Sequence, residues 1–192
     1  IISLPRDLYV RSKNNAFKKI NTLYAEHGVD ALKEKVGEII GLPINAYAIV
    51  DLAGVKNIID ALGGIYLPLE EDFNAYSYRG VRKVFEAQKG FRYFNGDEVL
   101  ALARYRPDSD FGRIKRQQMI MEALKKKIFG LNPLFDLNTI INLLGELKTH
   151  LETDLGIQEI KDLYYFGKEN NISSNYVIVS DDNFLKADSM EI

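Results

Sequence analysis

From Leu102 the chain reads Leu-Ala-Arg-Tyr-Arg-Pro-Asp-Ser-Asp-Phe-Gly-Arg-Ile-Lys-Arg-Gln-Gln, a segment crowded with arginine. Arg104 and Arg106 lie two apart ahead of Pro107, and in extended backbone side chains at that spacing point the same way, making a two-pronged cation. Asp110 is a natural helix N-cap, and Arg113, Arg116 and Gln117 then fall at i, i+3 and i+4, on one helix face beside the apolar stripe. From Arg104 to Lys127 eight basic residues stand against three acidic ones, an excess of five in a chain whose total is −2, so the remainder carries −7. Arginines at helix edges commonly cover apolar surface or pair with carboxylates. With Arg6 included, however, five arginines share only Asp7, Asp108 and Asp110. Two unpaired guanidinium groups held ~4 Å apart in a cleft repel by on the order of 4 kcal/mol at an effective dielectric near 20. The arrangement therefore calls for an anion of about two charges. Phosphate or pyrophosphate fits, and arginine's planar fork suits it better than lysine's point charge.

The elements that hold these side chains must come from 192 residues, the size of one ordinary domain, and we read residues 1–192 as a single domain. Hydrophobic residues make up 46% and charged residues 27%, which excludes a disordered tail and a fibrous or low-complexity chain. Apolar runs such as residues 46–50 and 58–62 fall far short of the ~20 positions a membrane span needs. A net charge of −2 argues against a nucleic-acid partner. With no cysteine there is no disulfide, thiolate nucleophile or zinc knuckle. The opening Ile1-Ile2-Ser3-Leu4-Pro5-Arg6-Asp7 carries no signal peptide and reads as the middle of a protein.

Residues 1–4 suit a buried strand whose carboxyl end presents Arg6 and Asp7, where α/β sheets place ligands. Asp30 and the spacing of Leu32, Val36, Ile39 and Ile40, closed by Gly41 and Pro43, predict a helix. Residues 47–52 read as a strand, 55–62 as a helix stopped by Gly63-Gly64, and 65–69 as a strand. That alternation implies parallel pairing with right-handed crossovers. Residues 70–95 hold seven of the 21 aromatic residues and predict a β-hairpin with aromatic cross-strand pairs, or an apolar wall beside a cleft. Helices are expected over 97–103, 111–128, 137–151 and 157–167, and a last, central strand over 176–179. The expected class is α/β: a central mixed, largely parallel sheet flanked by helices in three layers, with an aromatic-rich hairpin insertion. G-x-S-x-G, Walker A, H-E-x-x-H and G-x-G-x-x-G motifs do not occur. His27 and His150 read as ordinary surface or capping residues. Lys125 to Lys127 read as the cationic end of a helix, with anionic lipid headgroups as the alternative contact.

Six stretches in order then resemble the LytR-CpsA-Psr domain: Ser3-Leu4-Pro5-Arg6-Asp7; Lys19-Ile20-Asn21; Gly41-Leu42-Pro43-Ile44 with Tyr47, Val50 and Asp51; Ile59 to Ile65 (Ile-Asp-Ala-Leu-Gly-Gly-Ile); Asn95-Gly96-Asp97-Glu98 with Leu100; and Arg104-Tyr105-Arg106 with Asp110 to Arg113 and Arg116-Gln117-Gln118. They lie in register over roughly the first two thirds of the chain.

Members of this family are anchored by an amino-terminal membrane helix on the outer face of mainly Gram-positive bacteria. They transfer teichoic acid, capsular polysaccharide or similar glycopolymers from a polyprenyl-pyrophosphate carrier to peptidoglycan. The resemblance implies that Arg6, Arg104, Arg106 and Arg113 clasp the pyrophosphate, with Gln117 and Arg116 as further ligands. Arg6, Arg113 and Asp110 would be catalytic, with Asp7 the other candidate for accepting the hydroxyl proton. The lipid tail is expected in an apolar tunnel. Magnesium is the expected cofactor, but its two aspartate ligands, the family's first strands and the membrane anchor are expected upstream of Ile1, so no metal ligand is assigned here. The alternatives are a polyprenyl-pyrophosphate hydrolase and a non-catalytic module that binds polyprenyl phosphate or wall polymer.

Overall fold

The computed structural model describes residues 2–11, 16–76, 83–105, 110–132, 134–169 and 177–178. The chain forms two compact units, the first built from residues 1–48, 153–155 and 174–192, the second from 49–152 and 156–173.

In the first unit, β1 (Ile2–Ser3) pairs parallel with β10 (Val177–Ile178), Ile2 opposite Val177. β2 (Tyr9–Arg11) and β3 (Phe17–Lys19) form an antiparallel ribbon. Val10 alone of β2 turns inward, as strand alternation requires, and joins Ile20 and Leu23 in a small core backed by Leu4, Leu8, Leu32 and Val36. Helix α1 (Ile20–Ile40) contains a non-helical residue, Gly28, at φ 78°, ψ −175°. The predicted helix start at Asp30 is thus the second segment of a kinked helix. The earlier segment escaped notice because only Ile20 and Leu23 of it are buried. Gly41 ends the helix in the left-handed region at φ 71°, its N–H donating to Gly37 O at 2.9 Å, as a C-terminal glycine should.

The chain passes from one unit to the other within β4 (Ala48–Val50) and again within β9 (Leu151–Thr153), two strands that pair with each other. In the second unit Asp51 caps α2 (Leu52–Ala61), accepting from Gly54 N. β5 (Ile65–Leu69) alternates buried and exposed residues and lies antiparallel to β8 (Gly90–Phe94), Ile65 opposite Phe94. β6 (Phe73–Tyr76) and β7 (Lys83–Ala87) form the expected aromatic hairpin. Phe73 and Phe85 sit 5.6 Å apart between ring centroids, and Phe85 meets Phe94 edge-on at 5.5 Å. α3 (Gly96–Arg104) opens on an Asn95/Glu98 capping box, and α4 (Asp110–Phe129), α5 (Leu137–His150) and α6 (Ile157–Glu169) follow. Ile59, Ile65, Leu67, Phe94, Val99 and Leu102 form the centre of the larger core, and Ile58, Leu62 and Leu143 a second cluster.

The α/β class is as expected, with six helices among the described residues. Strand pairing corrects one step toward it. The described strands stand in two-stranded sheets, and β5, expected to pair in parallel after α2, runs antiparallel to β8. Gly63 and Gly64, at φ 70° and 77°, turn the chain directly from α2 into β5, and the Phe94 face of β8 supplies the apolar partner that a parallel neighbour would otherwise provide.

Candidate functional site

The end of α3 and the first turns of α4 carry three of the five candidate arginines, Arg104, Arg113 and Arg116. A helix leaves its last four carbonyls without intrahelical partners, and here α4 supplies donors for three C-terminal carbonyls. Arg116 Nε donates to Leu102 O at 3.3 Å and its Nη2 to Tyr105 O at 2.6 Å, while Gln117 Nε2 donates to Ala103 O at 3.3 Å. The Arg116 guanidinium also lies 5.3 Å from the centroid of the Tyr105 ring. Arg116 and Gln117, expected as anion ligands, therefore also fasten α3 to α4, and the cation sits at the negative end of the α3 dipole. Arg113, one turn earlier on α4, is only 6% exposed, with Ile114 next to it and Gln118 five residues on also buried. Arg104 occupies the last turn of α3 and is exposed. Arg106 and Asp108 lie outside the described residues. Asp110 is the first residue of α4, and its side chain lies outside them too.

Arg6 belongs to the first unit. A turn closed by Leu8 N to Pro5 O at 3.1 Å holds it, and Arg6 O accepts from Asn21 N at 3.2 Å, so the Ser-Leu-Pro-Arg-Asp loop is pinned to the start of α1. Its side chain is 59% exposed, with Nε 3.8 Å from Asp7 Oδ2, and Asp7 Oδ1 is 3.2 Å from Lys19 Nζ. Asp7 thus serves two cations, which makes it a poor candidate for taking a proton from substrate. Arg6 lines a cavity of about 630 Å³ together with Asn21, Thr22, Ala25 and Glu26. Asn21 Oδ1 is buried there without a hydrogen-bond partner among the described residues. A hydrogen bond from Lys18 holds the Glu26 carboxyl below the usual carboxylate range.

Sequence reasoning gave no site role to Lys19, Asn21 or Tyr105. Lys19 and Asn21 lie in a matched stretch, and Tyr105 follows Arg104 directly; Arg104, expected in extended backbone, instead closes helix α3. Among the described residues no group of three or more His, Cys, Asp or Glu side chains is placed to hold a metal ion. No described helix is long and apolar enough to cross a membrane.

The LytR_cpsA_psr family model matches residues 1–187, and the chain belongs to that family. Regulatory protein MsrR of Staphylococcus aureus is 32% identical over 160 residues, 82% of this chain and 47% of MsrR. The polyisoprenyl-teichoic acid–peptidoglycan teichoic acid transferase TagV of Bacillus subtilis is 32% identical over 165 residues, 83% of this chain and 41% of TagV. The crystal structure of B. subtilis TagV shares the fold with a TM-score of 0.72 at 26% identity, covering 98% of this chain and 80% of that one. The chain spans about half the length of the curated relatives it matches.

Proposed function

We propose that this chain is the phosphotransferase domain of an enzyme that attaches an anionic glycopolymer, carried on polyprenyl pyrophosphate, to peptidoglycan at the extracellular face of the bacterial membrane. A single family match running through both units supports reading residues 1–192 as one domain. The observation that carries the functional reading is Arg113. Arg113, a residue only 6% exposed in the first turns of α4, the helix whose Arg116 and Gln117 hold the α3 terminus, is a preorganised cation rather than a solvated surface charge.

In this reading an acceptor sugar hydroxyl attacks the phosphorus that bears the polymer. The bond from that phosphorus to the bridging oxygen breaks, lipid phosphate leaves with the electron pair, and a phosphodiester remains. Arg113 and Arg104, with Arg6 and Arg106, neutralise the non-bridging oxygens, and Arg116 and Gln117 keep the α3 end in register. Such a transfer is mostly positioning and charge stabilisation, which arginines supply without changing protonation. Because Asp7 already holds Arg6 and Lys19, Asp110 is the carboxylate assigned to the hydroxyl proton. Magnesium is the expected cofactor, with no residue of this chain assigned to hold it.

Arg113→Ala should abolish the thermal stabilisation given by undecaprenyl pyrophosphate in the presence of magnesium, lowering affinity at least tenfold, while circular dichroism stays that of the parent. Arg113→Lys, which keeps the charge, controls for burial. Unchanged affinity in both variants removes Arg113 from the site. The name of MsrR, a regulatory protein, favours a second reading, a non-catalytic binder of the same lipid. Release of polyprenyl phosphate separates the readings: with glycan acceptor only it marks a transferase, without acceptor a hydrolase, and its absence despite binding marks the binder.

A further inference from the structure

Lys125-Lys126-Lys127 lie near the end of helix α4, with Lys126 and Lys127 in its last turn and exposed, and the chain turns at Gly130 toward α5. In that turn Leu134 is 86% exposed and Phe135 85%. The turn is fastened by its own polar groups. Leu134 N donates to Asn132 Oδ1 at 2.9 Å, Asn132 N to Asp136 Oδ2 at 2.8 Å, and Asp136 N to Asn132 O at 2.8 Å. Leu134 and Phe135 thus stand exposed beside a turn tied by Asn132 and Asp136.

Helix α5 continues the surface. Its core contact is made by Leu143, buried against Ile58 and Leu62. Leu137, Ile141 and Leu144, at i, i+4 and i+7, form a second apolar stripe that is 56%, 57% and 58% exposed, and Lys148 follows on the same face. A contiguous exposed apolar surface of this kind marks an interaction site. The carboxylate nearest in sequence, Asp136, is turned back onto Asn132 N; Asp60 and Glu146 line a cavity beside Ile141, Glu146 accepting from Asn57 Nδ2 at 2.9 Å, and Lys148 lies at the far end of the stripe.

We propose that the α4–α5 turn and the outer stripe of α5 dock this domain on an anionic lipid surface. Leu134, Phe135 and the α5 stripe enter the boundary between headgroups and acyl chains, and Lys126, Lys127 and Lys148 meet lipid phosphates, the charge and apolar pattern of an interfacial helix. A chain of net charge −2 gains nothing from an anionic bilayer unless its cations are gathered at the contact, as they are here. The proposal stands apart from the pyrophosphate reading, because vesicle binding is measured without that ligand.

The chain contains no tryptophan, so Phe135→Trp provides a single reporter. With vesicles of equal phosphatidylcholine and phosphatidylglycerol its emission should shift to the blue and the protein should co-sediment. Leu134→Asp with Leu137→Asp, or Lys126→Glu with Lys127→Glu, should weaken co-sedimentation of the parent at least tenfold with the melting temperature kept, since these side chains lie outside the core. Absence of binding overturns the proposal, as does equal binding to pure phosphatidylcholine. So does a blue shift without vesicles that grows with protein concentration, which would assign the surface to a second copy of the chain.

Discussion

At the scale of single residues, one guanidinium does two kinds of work. Arg116 donates to Leu102 O and Tyr105 O and lies against the Tyr105 ring, so its removal strands carbonyls at the end of α3. Hydrogen bonds to a charged group contribute about 1.5–3 kcal/mol. Arg116→Ala should therefore lower stability by about 2 kcal/mol in chemical denaturation, while Arg104→Ala, at an exposed position, should change it by less than about 0.5 kcal/mol. Equal small effects would show that the carbonyl contacts do not hold the junction. The arginine set and its phosphate chemistry were legible because charge and spacing are written in side chains. The carbonyl partners of Arg116 and Gln117 were not, because every residue has a carbonyl and only the fold decides which ones end a helix. Asp7 illustrates the same limit: its second cation, Lys19, is distant in sequence and reaches it only because β3 returns beside the Ser-Leu-Pro-Arg-Asp loop.

At the scale of elements, the helix ends written in Gly41 and Gly63-Gly64 were readable because capping depends on local backbone chemistry, whereas the Asp51 and Asn95 caps were missed: residues 51–52, expected in a strand, cap and open α2. Partner choice between strands was not readable, since β5 finds β8 through Phe94 across a long hairpin. Nor was the approach of α5 to α2. A Cβ on Gly54 would lie 2.4 Å from His150 Cβ, so that glycine is set by a residue nearly a hundred positions away. There His150 Nδ1 lies 3.2 Å from Asp51 Oδ2 and its Nε2 3.7 Å from Glu146 Oε2. The Gly54 N–H, and then His150, hold the Asp51 carboxyl below the ordinary aspartate value of 3.8. A carboxyl acidified by folding adds stability above its unfolded pKa and loses it as pH falls through the lower folded value. Asp51→Asn keeps a good cap and removes the titration. Its melting temperature should fall less than that of the parent as pH drops below about 4, with little difference between the two at neutral pH. Parallel acid limbs for the two proteins would count against the link.

At the scale of the whole molecule, each unit has its own apolar cluster, around Val10, Ile20 and Leu23 in one and around Phe94, Leu67 and Leu102 in the other. The division of the chain between them, with residues 153–155 and 174–192 returning to the first unit, has no local signature in the sequence. Charge distribution is the property of the whole that sequence showed best, and it separates the two surfaces proposed for this domain. Arg113 and Lys126 lie on the same helix, thirteen residues apart, which at about 1.5 Å per residue is about 20 Å. That is roughly twice the screening length of about 8–10 Å at physiological salt. Lys126→Glu with Lys127→Glu should therefore remove vesicle binding and leave pyrophosphate affinity within about twofold at 0.15 M salt, whereas Arg113→Ala should do the reverse. At roughly 0.01 M salt, where the screening length grows to about 30 Å, the lysine reversals should begin to weaken pyrophosphate binding as well. Titration of both variants at the two salt concentrations decides the matter. Equal loss of both bindings in either variant at high salt would mean that the two ends of α4 serve one site.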